Sequence, residues 1–216
     1  MAVVARVRES ATNLGHFFDL LADWASATRM GRLRGAGLLG ALAAVFTWWA
    51  DLHVLSGRGS AGWALAGSLS LPAVAAGYWH VGEALRGAVP RAAALVRIAG
   101  YYSVGVGSAL HALLAATTSG GTGASDLVLS LWLATSAGLA VASLVFCWAI
   151  ATKASDYPPA LAWLSPAPVA IAVCLLSWLV PPWRTSGFFV APHVAHLVFF
   201  TASVIVIEWY NPDRWE

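Results

Sequence analysis

The chain has 216 residues, of which 59% are hydrophobic and only 10% are charged, and its mean hydropathy is +0.72. Soluble domains carry about 25% charged residues, so this composition excludes a soluble protein and predicts an integral membrane protein with room for one transmembrane domain. The formal net charge of +2 is too small to suggest a nucleic-acid partner.

Residues 1–34 form the first predicted element and are less apolar than the rest of the chain. Leu14, Phe17 and Phe18 would lie on one face of a helix. His16 and Asp19 would lie on the opposite face, which we interpret as a solvated surface. This spacing predicts an amphipathic helix on the cytoplasmic surface of the membrane. The segment is too polar to be a signal peptide.

Six apolar stretches follow, each long enough to cross about 30 Å of hydrocarbon. They are continuously apolar, whereas membrane strands alternate apolar and polar residues, so they predict helices. We therefore expect an all-α fold, in which residues 35–209 form a bundle of six transmembrane helices and residues 210–216 form a short cytoplasmic tail. The stretches are 35–55, 61–85, 92–118, 125–152, 160–180 and 187–209.

The fifth stretch has two interpretations because it contains Pro166 and Pro168. It could cross the membrane over residues 160–180. Alternatively, a helix could begin just after Ser165, since proline favours the first turn of a helix. The second helix would be too short to cross without thinning the bilayer.

The basic residues predict the orientation of the bundle. Only Arg58 and Arg184 fall on the side opposite the N terminus, which leaves ten of the twelve basic residues on the N-terminal side. Because cytoplasmic loops are enriched in Lys and Arg, both termini are expected in the cytoplasm. The lack of targeting motifs is compatible with a bacterial plasma membrane, although a protein of the endoplasmic reticulum would look similar.

Ionisable residues at one depth predict a polar pocket in the outer half of the membrane. At a rise of about 1.5 Å per residue, Asp51, His111 and His193 each lie roughly 7 to 9 Å outward from the membrane centre. They come from three different helices. His196 and Ser108 share helix faces with His193 and His111, respectively. Such residues are unfavourable in lipid and usually have a function.

Other residues extend the predicted pocket. Trp48, Trp132 and Trp178 lie at a similar depth in the outer half of the membrane and could line an apolar cavity. The default interpretation of tryptophans in a membrane protein is an aromatic belt at the membrane surface. His80 and Glu83 form a second, inner layer that could snorkel to the headgroups instead. We take as candidate substrate-binding residues Trp48, Trp132, Trp178, Ser108, His196, Glu83 and His80.

Three kinds of chemistry fit this pocket. The first is acid–base catalysis on an isoprenoid or other lipid, in which Asp51 donates a proton, a histidine accepts one and no cofactor is needed. The second is hydrolysis by a zinc ion held by His111, His193, and His196 or Asp51. The third is proton-coupled transport.

Two further possibilities stay open. Haem could be held between His111 and His193, or the Asp and His residues could simply bond to one another and fasten the bundle. We rank acid–base catalysis first, followed by metal hydrolysis and transport. In each case the expected partners are the lipid bilayer and a lipophilic small molecule. The oligomeric state is left open.

Three motifs carry a resemblance: Trp48-Trp49-Ala50-Asp51, Gly77-Tyr78-Trp79-His80-Val81 and Ser108-Ala109-Leu110-His111-Ala112. Through these motifs the first three predicted spans resemble small multi-spanning bacterial membrane proteins of unassigned function. The acids placed among tryptophans are more loosely similar to the membrane-integral terpene cyclases. That similarity implies a cyclase or isomerase that acts on an isoprenoid, and we assign no catalytic residue from it.

Overall fold

The structure is a computed structural model that describes residues 29–55, 61–118, 125–152, 155, 157–180 and 184–210. Most of the predicted amphipathic segment, residues 1–28, lies outside the described residues, as do residues 211–216 of the predicted tail. The first helix begins at Arg29, earlier than the predicted start at residue 35.

The described residues form an all-helical bundle, as predicted, and contain no strand. A 3₁₀ helix, Pro159–Leu164, lies between the fourth and fifth α-helices. The α-helices are α1 (Arg29–Leu55), α2 (Ala61–Arg86), α3 (Pro90–Thr118), α4 (Ser125–Ala151), α5 (Pro166–Leu179) and α6 (Arg184–Tyr210).

Four of these helices, α1, α3, α4 and α6, have the length and hydropathy needed to cross a membrane. Helix α2 has 26 residues but is not among the helices that meet both requirements. Helix α5 has 14 residues and is therefore about 21 Å long at 1.5 Å per residue. Length and composition thus support integration in a membrane, but they support four crossings rather than the predicted six.

The prolines explain why α5 is short. Ser165 is the N-cap of α5 and Pro166 is its first residue, so the shorter of the two sequence interpretations is the one that forms. The fixed φ angle of proline suits a first helical position, where its missing N–H removes no helical hydrogen bond. The preceding residues form the 3₁₀ helix, which begins after Pro158.

Hydrogen bonds fix the direction of the helices. His80 Nδ1 donates to the Leu33 carbonyl at 2.6 Å, and His80 Nε2 lies 2.9 Å from Ser203 Oγ. The start of α1, the end of α2 and the end of α6 therefore lie together. We call this the arginine end, because it also carries Arg86 and Arg91.

The arginine end is fastened by a buried chain of hydrogen bonds. The hydroxyl of Tyr157, in the segment before the 3₁₀ helix, lies 2.8 Å from Ser203 Oγ, which in turn contacts His80. Burial raises the pKa of the Tyr157 phenol. The hydrogen bond to Ser203 lowers this pKa, but the effect of burial is the larger one. The phenol therefore stays protonated and able to donate. This chain connects α1, α2, α6 and the α4–α5 connection.

Helices α2 and α3 pack closely because α3 carries a glycine opposite a tyrosine. A Cβ atom at Gly100 would overlap the ring of Tyr78, whereas a Cβ atom at Gly105 would meet nothing within 4 Å. Small residues let membrane helices approach in this way. The contact matters for the interior because Tyr78 is fully buried.

Replacement of Gly100 by alanine is expected to lower stability by about 1–3 kcal/mol, because the added methyl group must displace the Tyr78 ring or separate α2 from α3. The matched change Gly105→Ala on the same helix should leave stability unchanged or slightly raised. Thermal unfolding of both purified variants in detergent measures the difference. Equal midpoints would show that the α2–α3 contact has room for a methyl group at residue 100.

Candidate functional site

Asp51, His111 and His193 meet at the end of the bundle opposite the arginine end. The two carboxylate oxygens of Asp51 bind different histidines: Oδ1 lies 2.7 Å from His111 Nε2, and Oδ2 lies 2.7 Å from His193 Nε2. The three residues come from α1, α3 and α6 and are 5–6% exposed. The structure thus brings together the three residues that the sequence placed at one depth. We call them the Asp–His cluster.

The backbone around His111 holds its ring in place. The carbonyl of Gly107, one turn earlier on α3, accepts a hydrogen bond from His111 Nδ1 at 2.8 Å. On α2, a Cβ atom at Gly67 would lie 2.9 Å from His111 Cδ2, so the ring fits only because residue 67 has no side chain. The His111 ring is therefore held by a carbonyl of its own helix and fits into the space that Gly67 leaves on α2.

These bonds require a hydrogen or a metal ion between Asp51 and His111. A carbonyl only accepts hydrogen bonds, so His111 Nδ1 carries a hydrogen, and a neutral His111 then presents a lone pair at Nε2. This lone pair faces Asp51 Oδ1 at 2.7 Å. Two lone pairs at that distance repel unless a hydrogen or a metal ion lies between them. At 2.7 Å the bridge is a hydrogen, carried either by His111 as an imidazolium or by Asp51 as a neutral carboxylic acid, whereas a metal ion would require the two atoms to move apart.

Two buried ring nitrogens near the cluster, Nδ1 of His193 and Nδ1 of His196, have no hydrogen-bond partner among the residues that the structure describes. His196 lies one turn after His193 on α6 and is 3% exposed. Its Nε2 lies 2.8 Å from the hydroxyl of Tyr78. Burial of an unpaired polar group is unfavourable, and a catalytic role or a bound ion or water is among the explanations for it.

The cluster borders a small cavity of about 80 Å³. Five helices contribute to its wall, which is mostly apolar and includes Trp132 and Phe189. The polar groups on this wall include Asp51 and three histidines, whereas the described residues that line it include neither lysine nor arginine. The cavity is large enough for water and for the reacting part of a substrate, and it places both beside the cluster.

The other residues predicted to line the pocket in the outer half of the membrane do not all lie at the cavity. Trp132 and His196 line the cavity. Trp48 lines a different groove, between α1, α5 and α6. Trp178 is 64% exposed and lines a groove between α4, α5 and α6. Ser108 does not line the cavity; its hydroxyl donates to the Val104 carbonyl, one turn earlier on α3.

His80 and Glu83 do not share a site, although they are three residues apart. His80 belongs to the hydrogen-bonded chain at the arginine end and is fully buried. Glu83 pairs with Arg86 at 3.3 Å and with Arg97 at 3.5 Å. His80 and Glu83 therefore belong to two separate sets of contacts and do not form one inner layer. Both residues lie several helical turns away from the Asp–His cluster.

Three residues of the site were missed by sequence reasoning: Tyr78, Gly67 and Gly107. Tyr78 bonds His196, Gly67 makes room for His111, and the Gly107 carbonyl orients the same ring. The position of Gly107 one turn before His111 was a usable signal, because the i−4 carbonyl is within reach of a helical side chain. Nothing in the spacing of Gly67 points to His111.

Comparison with known protein families, with curated proteins and with solved structures finds no match to this chain. The resemblances drawn from the sequence motifs therefore stay predictions.

Asp51→Ala is expected to destabilise the protein in the presence of a metal chelator. Each buried imidazole that loses its carboxylate partner costs about 1–3 kcal/mol. The control is Asp126→Ala, because Asp126 is exposed in the first turn of α4 and its favourable interaction with the helix N-terminus is worth under about 1 kcal/mol. Thermal unfolding in detergent compares the two variants. Equal losses would mean that the cluster contributes no more than a surface carboxylate.

Proposed function

We propose that the chain is an integral membrane enzyme in which the Asp–His cluster holds a zinc-class metal ion and hydrolyses an acyl bond of a lipophilic substrate. One observation carries the proposal. Asp51, His111 and His193 each offer a ligand atom, and these atoms lie within 4.8 Å of one another in a buried site.

The ligand set suits zinc in type and number. Catalytic zinc sites use three protein ligands, often two histidines and a carboxylate, and leave a fourth position open. Ligand atoms around a tetrahedral zinc ion lie about 3.3 Å apart, as follows from metal–ligand bonds of 2.0–2.2 Å. The two Asp51–histidine contacts of 2.7 Å would have to open by about 0.6 Å to admit the ion.

The surroundings of His111 also favour a metal ligand. A histidine that binds a metal usually donates its other ring N–H to a backbone carbonyl or a carboxylate, which fixes the tautomer and aims the lone pair at the ion. His111 makes this bond to Gly107. With a metal ion present, His111 stays neutral and its Nε2 lone pair has a partner.

In this proposal the cavity supplies the fourth position. Zinc makes a bound water nucleophilic near neutral pH and polarises a carbonyl oxygen. His196 lines the same cavity and carries an unpaired ring nitrogen, so we assign it the transfer of a proton to or from the reacting groups. The apolar wall excludes bulk water from the reaction.

The second candidate is acid–base catalysis without a cofactor, which was the first choice from the sequence. The 2.7 Å contacts favour it, because they are ordinary lengths for hydrogen bonds that hold a shared proton. Asp51 would fix the His193 ring so that its unpaired Nδ1 faces the substrate as a base. The substrate would then be an isoprenoid that is cyclised or isomerised.

Transport has less support. Buried apolar side chains, among them Val74 and Phe200, lie between the Asp–His cluster and the arginine end, and a path for protons would have to cross them. Haem would require room between His111 and His193, whose ring centroids are 5.7 Å apart. We therefore place both behind the two enzymatic candidates.

We also propose an orientation for the bundle in the membrane. Arg32, Arg86 and Arg91 are exposed at one end of the bundle, which favours that end as the cytoplasmic one. Both termini would then be cytoplasmic, the six α-helices would all cross or enter the bilayer, and the Asp–His cluster would lie in the outer half. A bacterial plasma membrane fits this arrangement.

Elemental mass spectrometry of protein purified without a histidine tag tests the metal. We expect about one zinc or similar ion per chain. His111→Ala and His193→Ala should each lose the ion. The matched control is His53→Ala, because His53 lies on α1 near Asp51 but stacks on Trp63 and is not part of the cluster.

Two results would contradict metal hydrolysis. The wild-type protein could stay free of metal after incubation with zinc, or all three histidine variants could bind the ion equally. A metal-free wild-type protein whose lipid-converting activity is abolished by Asp51→Asn would instead support acid–base catalysis.

A further inference from the structure

We infer that the groove between α4, α5 and α6 binds the hydrocarbon chain of an acyl lipid substrate and presents its acyl bond to the Asp–His cluster. We call it the lateral groove and define it by Trp132, Ala140, Ala170, Cys174 and Pro192. The inference rests on the proposed function for the choice of an acyl lipid, because hydrolysis at the cluster requires an acyl bond.

The lateral groove has the size and lining of a site for a hydrocarbon chain. Its volume is about 530 Å³, within the range of about 300–1,000 Å³ that is typical of small-molecule sites. Helices α4 and α5 form its two sides, and Ala191 and Pro192 of α6 belong to the same lining. The lining is almost entirely apolar, so it suits a hydrocarbon chain better than a polar solute.

The packing of the helices explains why the groove is open. Helix α5 packs extensively on α6 and only sparsely on α4. Towards the arginine end, Phe146 of α4 contacts Phe199 of α6 with ring centroids 4.8 Å apart, which closes the space between these helices. Small residues on α5, including Ala167 and Ala170, line the groove and leave room beside α4.

The groove is adjacent to the Asp–His cluster. Trp132 and Pro192 line both the lateral groove and the cavity, so the two spaces lie on either side of the same two side chains. Pro192 also directly precedes His193 on α6. A chain seated in the groove would therefore place its polar end beside Trp132, where the cavity begins. These shared lining residues distinguish the lateral groove from an ordinary lipid-facing surface.

Photolabelling with a diazirine-bearing palmitic acid tests this inference on the full-length protein in detergent. Peptide mass spectrometry should locate the label on the α4 and α5 walls, and excess unlabelled palmitic acid should compete for it. Ala170→Trp should reduce this labelling by about tenfold, because the indole fills the groove. The matched control Ala172→Trp should leave it unchanged, because Ala172 is exposed on α5 and does not line the groove.

Labelling that does not saturate, or that Ala170→Trp leaves unchanged in a protein with wild-type thermal stability, would overturn the inference. Competition by geranylgeraniol but not by palmitic acid would overturn the choice of an acyl chain.

The variant His111→Ala separates this inference from the proposed function, because His111 does not line the groove and the variant should keep its labelling. Saturable labelling without bound metal would support the groove and refute the metal. Bound metal with unsaturable labelling would refute the groove alone.

Discussion

The structure depends on the neutralisation of one carboxylate, that of Asp51, inside an apolar bundle. An isolated carboxylate in such surroundings is unfavourable by several kcal/mol, and removal of its partners leaves that cost in place. Here each oxygen has a histidine at 2.7 Å, and the histidines come from two other helices. The charge balance of a single residue therefore sets the positions of α1, α3 and α6 relative to one another.

Much of this arrangement could be predicted from the sequence, because the depth of a residue in a membrane helix follows from counting at a constant rise. Counting placed Asp51, His111 and His193 in one layer. It could not separate His80 from Glu83, because depth gives no information about which neighbouring helix a side chain faces. The sequence was also ambiguous at Pro166, because a proline is compatible both with a kink in a long helix and with the start of a short one.

The supporting residues were harder to predict than the charged ones. Gly67 and Gly100 contribute no atoms of their own to a contact, and their role is to let the rings of His111 and Tyr78 occupy the space. Tyr78 then bonds His196, which borders the cavity. Such roles depend on the rotation of one helix about its axis relative to the next, and six continuously apolar helices leave little hydrophobic periodicity from which to read that rotation.

The short length of α5 has a consequence for the lipid around the protein. An apolar helix of 14 residues is about 9 Å shorter than a hydrocarbon core of 30 Å. The surrounding leaflets adapt to such a mismatch by local compression, which draws lipid headgroups towards the membrane centre. The ester linkages of lipids beside α5 would then lie deeper than elsewhere, closer to the level of Asp51. A deformed annulus on this one side would shorten the distance that a lipid must move between the bilayer and the buried carboxylate.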